Sequence, residues 1–349
     1  MTTLIYYLIK VTLKLTEVGL RFLSKKVTLE GLETLCPPIE RGGSLSEISL
    51  GQESFHVGIV VPYRDNFVMT ERCLSYLKSL KLPPHLKATL ILADNGSSQK
   101  ETLHGIAKMM TSQFPMPLLK CSLDYPFNYS RINNDAVHFA TKELEKSHGT
   151  PLTHLWFLNN DVMVIDPDAL EKLFSASTLP NCGAVGNTLL YPNQKIQHLY
   201  AEPFVKIIAS HPFKNDVLPH DSSWLNSPRS VPAVTGASFF ISVEAFEASG
   251  KFDERLPTLG QDIDLCLTLR NAGKVIVVLP DLILIHEESS TKKAVFPISE
   301  VEYFYKKWDH SSLVNSRPVL KWSEKLYSSP WKWRYPFPLY VNAKRRAKK

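Results

Sequence analysis

The chain has 349 residues, 44% hydrophobic and 21% charged, an ordinary water-soluble balance with length for one large domain or two small ones. Its five cysteines (Cys36, Cys73, Cys121, Cys182 and Cys266) show no paired spacing, which excludes a zinc cluster or disulfide framework and points to a reducing compartment. The net charge of +6 divides into +9 over Arg317 to Lys349, +4 over Met1 to Lys26 and the remaining −7 between them, which excludes a nucleic-acid binder with one basic face and suits a body held on an anionic membrane by its ends.

In Met1 to Lys26, Leu4, Leu8, Val11, Leu15, Val18 and Phe22 recur at helical spacing, with Lys10, Lys14, Glu17 and Arg21 on another face. The charges exclude a spanning helix, and no small-residue cleavage site follows a clean apolar run. The pattern fits an interfacial amphipathic helix or, equally, a helix packed on its own domain. Val27 to Phe55, with Pro37-Pro38 and Gly42-Gly43, reads as a linker.

The β-branched run His56 to Pro62 predicts a buried strand, followed by the polar Tyr63-Arg64-Asp65-Asn66 and a helix over Met69 to Leu80. Ala88 to Ala93 predicts a second strand ending in Asp94-Asn95-Gly96-Ser97-Ser98, then a helix from Lys100 to about Met110. Strand, helix, strand, helix, with a polar cluster after each strand, is the pattern of a Rossmann-like parallel sheet. Asp94 at a strand end can accept from a nucleobase imide N–H; a plain Asp-Asn-Gly turn is the other reading. No Gly-x-Gly-x-x-Gly follows the first strand, so a dinucleotide site is disfavoured.

Pro126 to Asp135 is dense in side-chain donors and enters a helix over Ala136 to Glu145, for which Ser130 or Asn134 is a candidate N-cap. Leu155 to Leu158 predicts a short buried strand that stops in Asn159-Asn160-Asp161. A carboxylate beside amides at a strand end suits a hard divalent cation and sugar or ribose hydroxyls, and is also good turn chemistry. Cys182 to Tyr191 predicts another strand, followed by Gln197-His198. Val231 to Val243 reads as a strand carrying Thr235-Gly236-Ala237, where a glycine often marks close ligand approach. Phe252-Asp253-Glu254, then Asp262-Ile263-Asp264-Leu265-Cys266 opening a helix, then a last strand over Val275 to Leu279 and His286-Glu287-Glu288-Ser289 complete the pattern.

In this order, Asp94-Asn95-Gly96-Ser97, Phe127-Asn128-Tyr129-Ser130 with Asn133-Asn134, Leu158-Asn159-Asn160-Asp161, Gln197-His198, Thr235-Gly236-Ala237, Phe252-Asp253-Glu254, Asp262-Ile263-Asp264-Leu265-Cys266 and His286 with Glu288-Ser289 resemble glycosyltransferase family 2. The resemblance spans about His56 to Ser290. It is nearest the bacterial branch that builds surface polysaccharides, including rhamnosyltransferase-like members. It implies the α/β GT-A fold, a mostly parallel central sheet with helices on both faces. The domains expected are 1–55 (amphipathic helix and linker), 56–308 (transferase) and 309–349 (basic aromatic tail).

The resemblance also implies roles. Pro62, Tyr63, Arg64, Asp65 and Asp94 would line the nucleotide pocket, with Asn128 and Asn134 contributing. Asn160 would meet the ribose or sugar, and Thr235 and Gly236 would face the donor sugar. Asp161 and His286 would hold Mg²⁺ or Mn²⁺, and Asp262 would be the catalytic base. The implied reaction is inverting transfer from a UDP- or dTDP-sugar to a glycan or lipid-linked hydroxyl. In-line displacement needs a neutralised leaving diphosphate and a carboxylate opposite it to take the acceptor proton. Gln261 stands where the family often has Glu, and Thr268 where Arg is common. Two competing readings are a nucleotidyltransferase, which would show a glycine-rich phosphate loop after the first strand, and a non-catalytic glycan-binding protein. The tail from Ser329 to Lys349, with Trp331, Trp333, Tyr335, Phe337 and Tyr340 among basic residues and three prolines, is expected to adhere to a membrane surface, placing the enzyme on the cytoplasmic face.

Overall fold

The computed structural model describes residues 36–39, 54–203, 208–218, 223–288 and 298–308. The expected N-terminal helix and the basic aromatic tail lie outside the described residues.

The chain alternates strands and helices: β1 (Phe55–Tyr63), α1 (Phe67–Leu77), β2 (Leu86–Asn95), α2 (Lys100–Met110), β3 (Leu118–Leu123), α3 (Tyr129–Lys146), β4 (His154–Leu158), β5 (Val162–Met163) and α4 (Ala169–Ser177). Then come β6 (Cys182–Leu190), β7 (Ile196–His198), the small pair β8 (Glu202–Pro203) and β9 (Ala209–Ser210), and β10 (Arg229–Val231). The last elements are β11 (Ser238–Ser242), α5 (Val243–Ala248), α6 (Gln261–Asn271), β12 (Val275–His286) and α7 (Ile298–Lys307).

The main sheet runs β10-β12-β6-β11-β4-β1-β2-β3, with β5 and β7 added to β12 and β6. β3, β2, β1 and β4 are parallel neighbours, and β6 and β12 are parallel to each other; β11 lies antiparallel between the two blocks. Both faces are covered, which is why the strands read as continuous apolar runs. Val57, Ile59 and Val61 point to the layer of α1, α2 and α4, whereas Val60 points to the layer of α3, α5 and α6. In the second layer Phe252 is buried, with its ring centroid 4.8 Å from Phe157 and 5.5 Å from Phe246. It nails the 252–260 loop to the sheet; removing such a ring costs about 3–5 kcal/mol.

Four expectations change. The single strand over Val231 to Val243 is two strands, and Thr235-Gly236-Ala237 forms the turn leading into β11. The helix expected from Ala136 starts at Tyr129, capped by Asn128, whose Oδ1 accepts from Arg131 N at 3.0 Å. The last strand runs on to His286, with an irregularity between Leu279 and Ile283. Part of the presumed linker is ordered on the sheet edge beside β10. There Ile39 N donates to Pro228 O (3.0 Å), Ser230 N to Pro37 O (3.1 Å), and Cys36 is buried. The strands β3, β5, β7, β8 and β9 and the helix α7 are not among the elements expected from the sequence.

Candidate active site

The polar clusters that end the strands meet along one edge of the sheet. Tyr63 and Asp94 are register partners at the ends of β1 and β2. Asp94 is buried; its Oδ1 accepts from Ser97 N (2.9 Å) and its Oδ2 lies 3.3 Å from Lys120 Nζ, on β3. Burial and the Asp94 carboxylate push the Tyr63 phenol far up, so it stays neutral. Asp65 and Asn66 follow β1 with positive φ of 50° and 48°. This left-handed step turns the Asp65 carboxylate toward α2, where its Oδ1 accepts from Ser98 N and Gln99 N at 2.8 Å each. The Gln99 N–H above all holds that carboxyl below its usual range. Ser97 Oγ in turn accepts from Asp65 N (2.9 Å), so the loops after β1 and β2 are tied into one wall. Pro62 lies in this wall, and Arg64 is exposed at its rim.

At the end of β4 the chain turns through Asn159-Asn160-Asp161 into β5, which pairs with the end of β12 and sets His286 opposite Val162. His286 Nε2 lies 3.0 Å from Asp161 Oδ1, and His286 Nδ1 lies 2.5 Å from Gln197 Oε1. Asp161 O accepts from Glu287 N (3.1 Å), and Glu287 pairs with Arg72 of α1. Asn160 Nδ2 donates to Thr70 Oγ1 (2.9 Å).

The same turn touches the next cluster, since Asn159 N donates to Ala237 O (3.0 Å). Thr235 Oγ1 accepts from Ala237 N (3.3 Å), closing the turn around Gly236. Gly236 N donates to Asp262 Oδ2 (2.8 Å), and Gly236 O accepts from the Tyr129 hydroxyl (2.7 Å). Burial, with Asp262 and then Asp161, drives the Tyr129 phenol far up, so both carboxylates act on one hydroxyl. A Cβ at 236 would stand 3.3 Å from that hydroxyl and 3.5 Å from Asp262 Cβ.

Asp262 sits in the first turn of α6, where the helix dipole favours a carboxylate. Gly260 starts that helix at φ 82°, and a Cβ there would fall 2.8 Å from the Ile208 side chain. The approach is held by residues the sequence reading missed. Glu300 of α7 accepts from Thr258 N (2.7 Å), Thr258 Oγ1 (2.6 Å) and Leu259 N (2.9 Å). Asp264 points away from the site, to Lys307 Nζ (2.8 Å) and Trp308 Nε1 (2.8 Å). Sequence offers no signal for Glu300, because its partners are backbone N–H groups 41 and 42 residues away. Tyr129 and Gln197 stand inside the motifs Phe127-Asn128-Tyr129-Ser130 and Gln197-His198, but their partners are visible only in three dimensions.

The structure thus brings together Asp161 with His286, Gly236 with Asp262, and Tyr63 with Asp94. Asn128 and Asn134 turn elsewhere. Asn128 Nδ2 donates to Glu254 O (2.8 Å), and the Asn134 amide brackets the Phe252 backbone, donating to its O (2.9 Å) and accepting from its N (3.2 Å). Their amides hold the 252–254 loop against α3.

No protein-family model matches the chain. Among solved structures, the mannosyltransferase PcManGT of Pyrobaculum calidifontis, in complex with GDP-Man and Mn²⁺, superposes with TM-score 0.56 at 15% identity, over 97% of this chain and 85% of that one. GalNAc-T7 with UDP, GalNAc and Mn²⁺ gives TM-score 0.56 at 12% identity, over 77% and 52%. The fold is that of the GT-A glycosyltransferases. In sequence, the chain is 33% identical over 264 residues to O-antigen biosynthesis protein RfbC of Myxococcus xanthus, covering 72% of this chain and 19% of that protein. It is 30% identical over 263 residues to the uncharacterized protein y4gI of Sinorhizobium fredii, covering 72% and 27%. The chain therefore spans only a minor part of the curated relatives it matches.

Proposed function

We propose that this protein is a metal-dependent inverting glycosyltransferase that moves a sugar from a nucleoside-diphosphate donor to a hydroxyl of a glycan or lipid-linked acceptor in surface-polysaccharide synthesis. The observation that carries the reading is the Asp161–His286 pair at 3.0 Å, joined through the Asn159 N–Ala237 O hydrogen bond to the turn that makes the Gly236–Asp262 contact at 2.8 Å. The GT-A fold and the resemblance to an O-antigen biosynthesis protein support it.

The donor set fits a divalent cation. A carboxylate oxygen and an imidazole nitrogen face each other with Nδ1 bonded on its far side, the arrangement that orients a histidine ligand. Among the described residues no group of three or more His, Cys, Asp or Glu is placed to hold a metal ion. With Asp161 and His286 as its two protein ligands, the rest of the ion's shell would have to come from diphosphate oxygens and water. Such an ion, Mg²⁺ or Mn²⁺, would neutralise charge on the leaving nucleoside diphosphate.

The chain's own groups divide the remaining work. Asp94 accepts the imide N–H of the base, as in a UDP- or dTDP-sugar, within the wall of Pro62, Tyr63, Arg64 and Asp65. Asn160 meets the ribose or sugar, and the Thr235–Gly236 turn faces the donor sugar. Asp262, its Oδ2 fixed by Gly236 and its Oδ1 by Ile263 N (2.8 Å), takes the proton of the acceptor hydroxyl as it attacks. Among the described residues no helix is long and apolar enough to cross a membrane. We place the enzyme peripherally on the cytoplasmic face, on the charge and aromatic pattern of its two ends. The test is a panel of nucleotide-sugars assayed for hydrolysis with Mn²⁺ and with a chelator. Cleavage of one donor that disappears with the chelator is expected; no binding or cleavage across the panel overturns the reading.

A further inference from the structure

We propose that Gln197 is a positioning residue: it fixes which nitrogen of His286 faces Asp161, and so presents that nitrogen's lone pair to the cation. The inference rests on the metal reading above and deepens it, by assigning a role to a residue outside the ligand pair. Gln197 lies in β7, the short strand antiparallel to the end of β6, and is buried with its Oε1 2.5 Å from His286 Nδ1.

A primary amide has a donor end and an acceptor end, and an imidazole can pair with either. The far side of Gln197 decides between them. Its Nε2 lies 3.4 Å from Glu288 Oε2, a carboxylate oxygen that only accepts. That carboxylate is itself held, by the Tyr191 hydroxyl at 2.6 Å and by Lys214 Nζ at 3.6 Å. Glu288 adopts φ 49°, a left-handed conformation that is strained for a non-glycine residue and persists where surrounding contacts hold it. Tyr191 and Lys214 thus anchor Glu288, Glu288 orients the amide nitrogen, and the amide oxygen is left facing the imidazole.

Both ring nitrogens face an acceptor, and the shorter contact fixes the proton: two acceptors do not approach to 2.5 Å, so Nδ1 is the donor to Gln197 Oε1. Nε2, at 3.0 Å from Asp161 Oδ1, is then the nitrogen whose lone pair is left for a cation seated beside Asp161. Without the Gln197 oxygen, the neutral ring gains by moving its proton to Nε2 and donating to Asp161. That tautomer closes the site to a cation, because the nitrogen facing Asp161 then bears hydrogen.

The test compares wild type, Gln197→Met and Gln197→Glu. Met approximates the length and keeps neither end of the amide; Glu keeps the acceptor. The tautomer of His286 is read in metal-free ¹⁵N-labelled protein, above the pH range in which imidazole protonates, from long-range ¹H–¹⁵N correlations. Mn²⁺ binding in the presence of UDP or GDP is read from the spin resonance of free Mn²⁺. Gln197→Met is expected to shift the proton to Nε2 and to weaken Mn²⁺ binding by ~10–100-fold, with Gln197→Glu restoring Nδ1–H. A melting curve accompanies each variant. If Gln197→Met proves unfolded, Glu288→Gln, which frees the amide to turn over, must show a mixed tautomer. Retention of the wild-type tautomer in the folded variant overturns the proposal. Failure of wild type to bind Mn²⁺ with either nucleotide overturns the metal reading instead, and the metal-free tautomer comparison still decides the role of Gln197.

Discussion

The backbone N–H of Gly236 donates to the Asp262 carboxylate at 2.8 Å, joining the turn before β11 to the first turn of α6. The contact sets where the carboxylate stands relative to the sheet edge, independently of any substrate. Replacing Asp262 by Asn keeps a nearly isosteric group whose oxygen can still accept one of the two backbone N–H groups. The amide nitrogen then faces the other N–H, so the expected outcome is a modestly lowered melting temperature with fold and donor affinity kept, and transfer lowered by about 10²-fold or more. Full transfer activity in that variant would move the base to another group.

Gly236 itself is a sensitive position. An added methyl meets the Tyr129 hydroxyl at 3.3 Å, so the hydroxyl must give by a few tenths of an ångström. The position has no positive φ, and the backbone tolerates alanine there. We therefore expect Gly236→Ala to fold normally and to lose at least ~10-fold in turnover, since small misplacements of a reacting group are costly. Unchanged turnover with unchanged stability would show that the turn does not set the geometry of Asp262.

Asp161→Ala removes the anionic member of the pair with His286. Charge stabilisation by a bound cation is worth several kcal/mol, so transfer should fall on the order of 10²-fold or more. The Mn²⁺ dependence of donor binding should vanish with it. Wild-type activity of this variant at limiting Mn²⁺ would rule out the assignment.

The loop that carries Phe252 to Glu254 is tied down by Asp253, which binds Arg255 through two contacts (2.8 and 2.9 Å) and accepts from Tyr303 (2.7 Å) and Lys307 (3.0 Å). Burial alone would raise its carboxyl, but the hydrogen bonds from Arg255, Tyr303 and Lys307 outweigh it and hold the group well below the usual carboxylate range. The folded value lies under the unfolded one, so the stabilisation is complete above the unfolded aspartate value of about 3.9 and is lost as pH falls from there toward the depressed value. Urea melts of wild type and Asp253→Asn should differ by a constant amount from neutral pH down to about pH 4, and the gap should narrow steadily as pH falls further. A gap independent of pH would mean that ionisation of Asp253 does not contribute.

Trp331 to Lys349 interleave aromatic and basic residues. Sedimentation with anionic liposomes should show binding that weakens with salt and drops on deleting this segment, each basic residue near the surface adding about 1 kcal/mol. Equal recovery of full-length and truncated protein in the supernatant at low salt would dispose of the membrane anchor.

The long central strands β1, β2, β4 and β6 were legible in the sequence, because each is an apolar run stopped by a polar cluster, whereas the partly exposed β3 and the two-residue β5 were not. The clusters at Asp94, Asn159 to Asp161, Thr235 to Ala237 and Asp262 are local patterns of residue type, and residue type is what a sequence records. The individual contacts were not legible. Nothing local distinguishes Asp262, held by Gly236, from Asp264, buried against Lys307 and Trp308 two residues on. Nor does anything in the chain around Asn128 and Asn134 foretell that their amides would bind the 252–254 backbone. The sheet alone brings Asp161 and His286 together across 125 residues, through the pairing of β5 with β12. Strand propensity is a property of neighbours along the chain and is readable from them. Which side chains face each other depends on register and crossover between distant segments, and only the packed tertiary structure decides that.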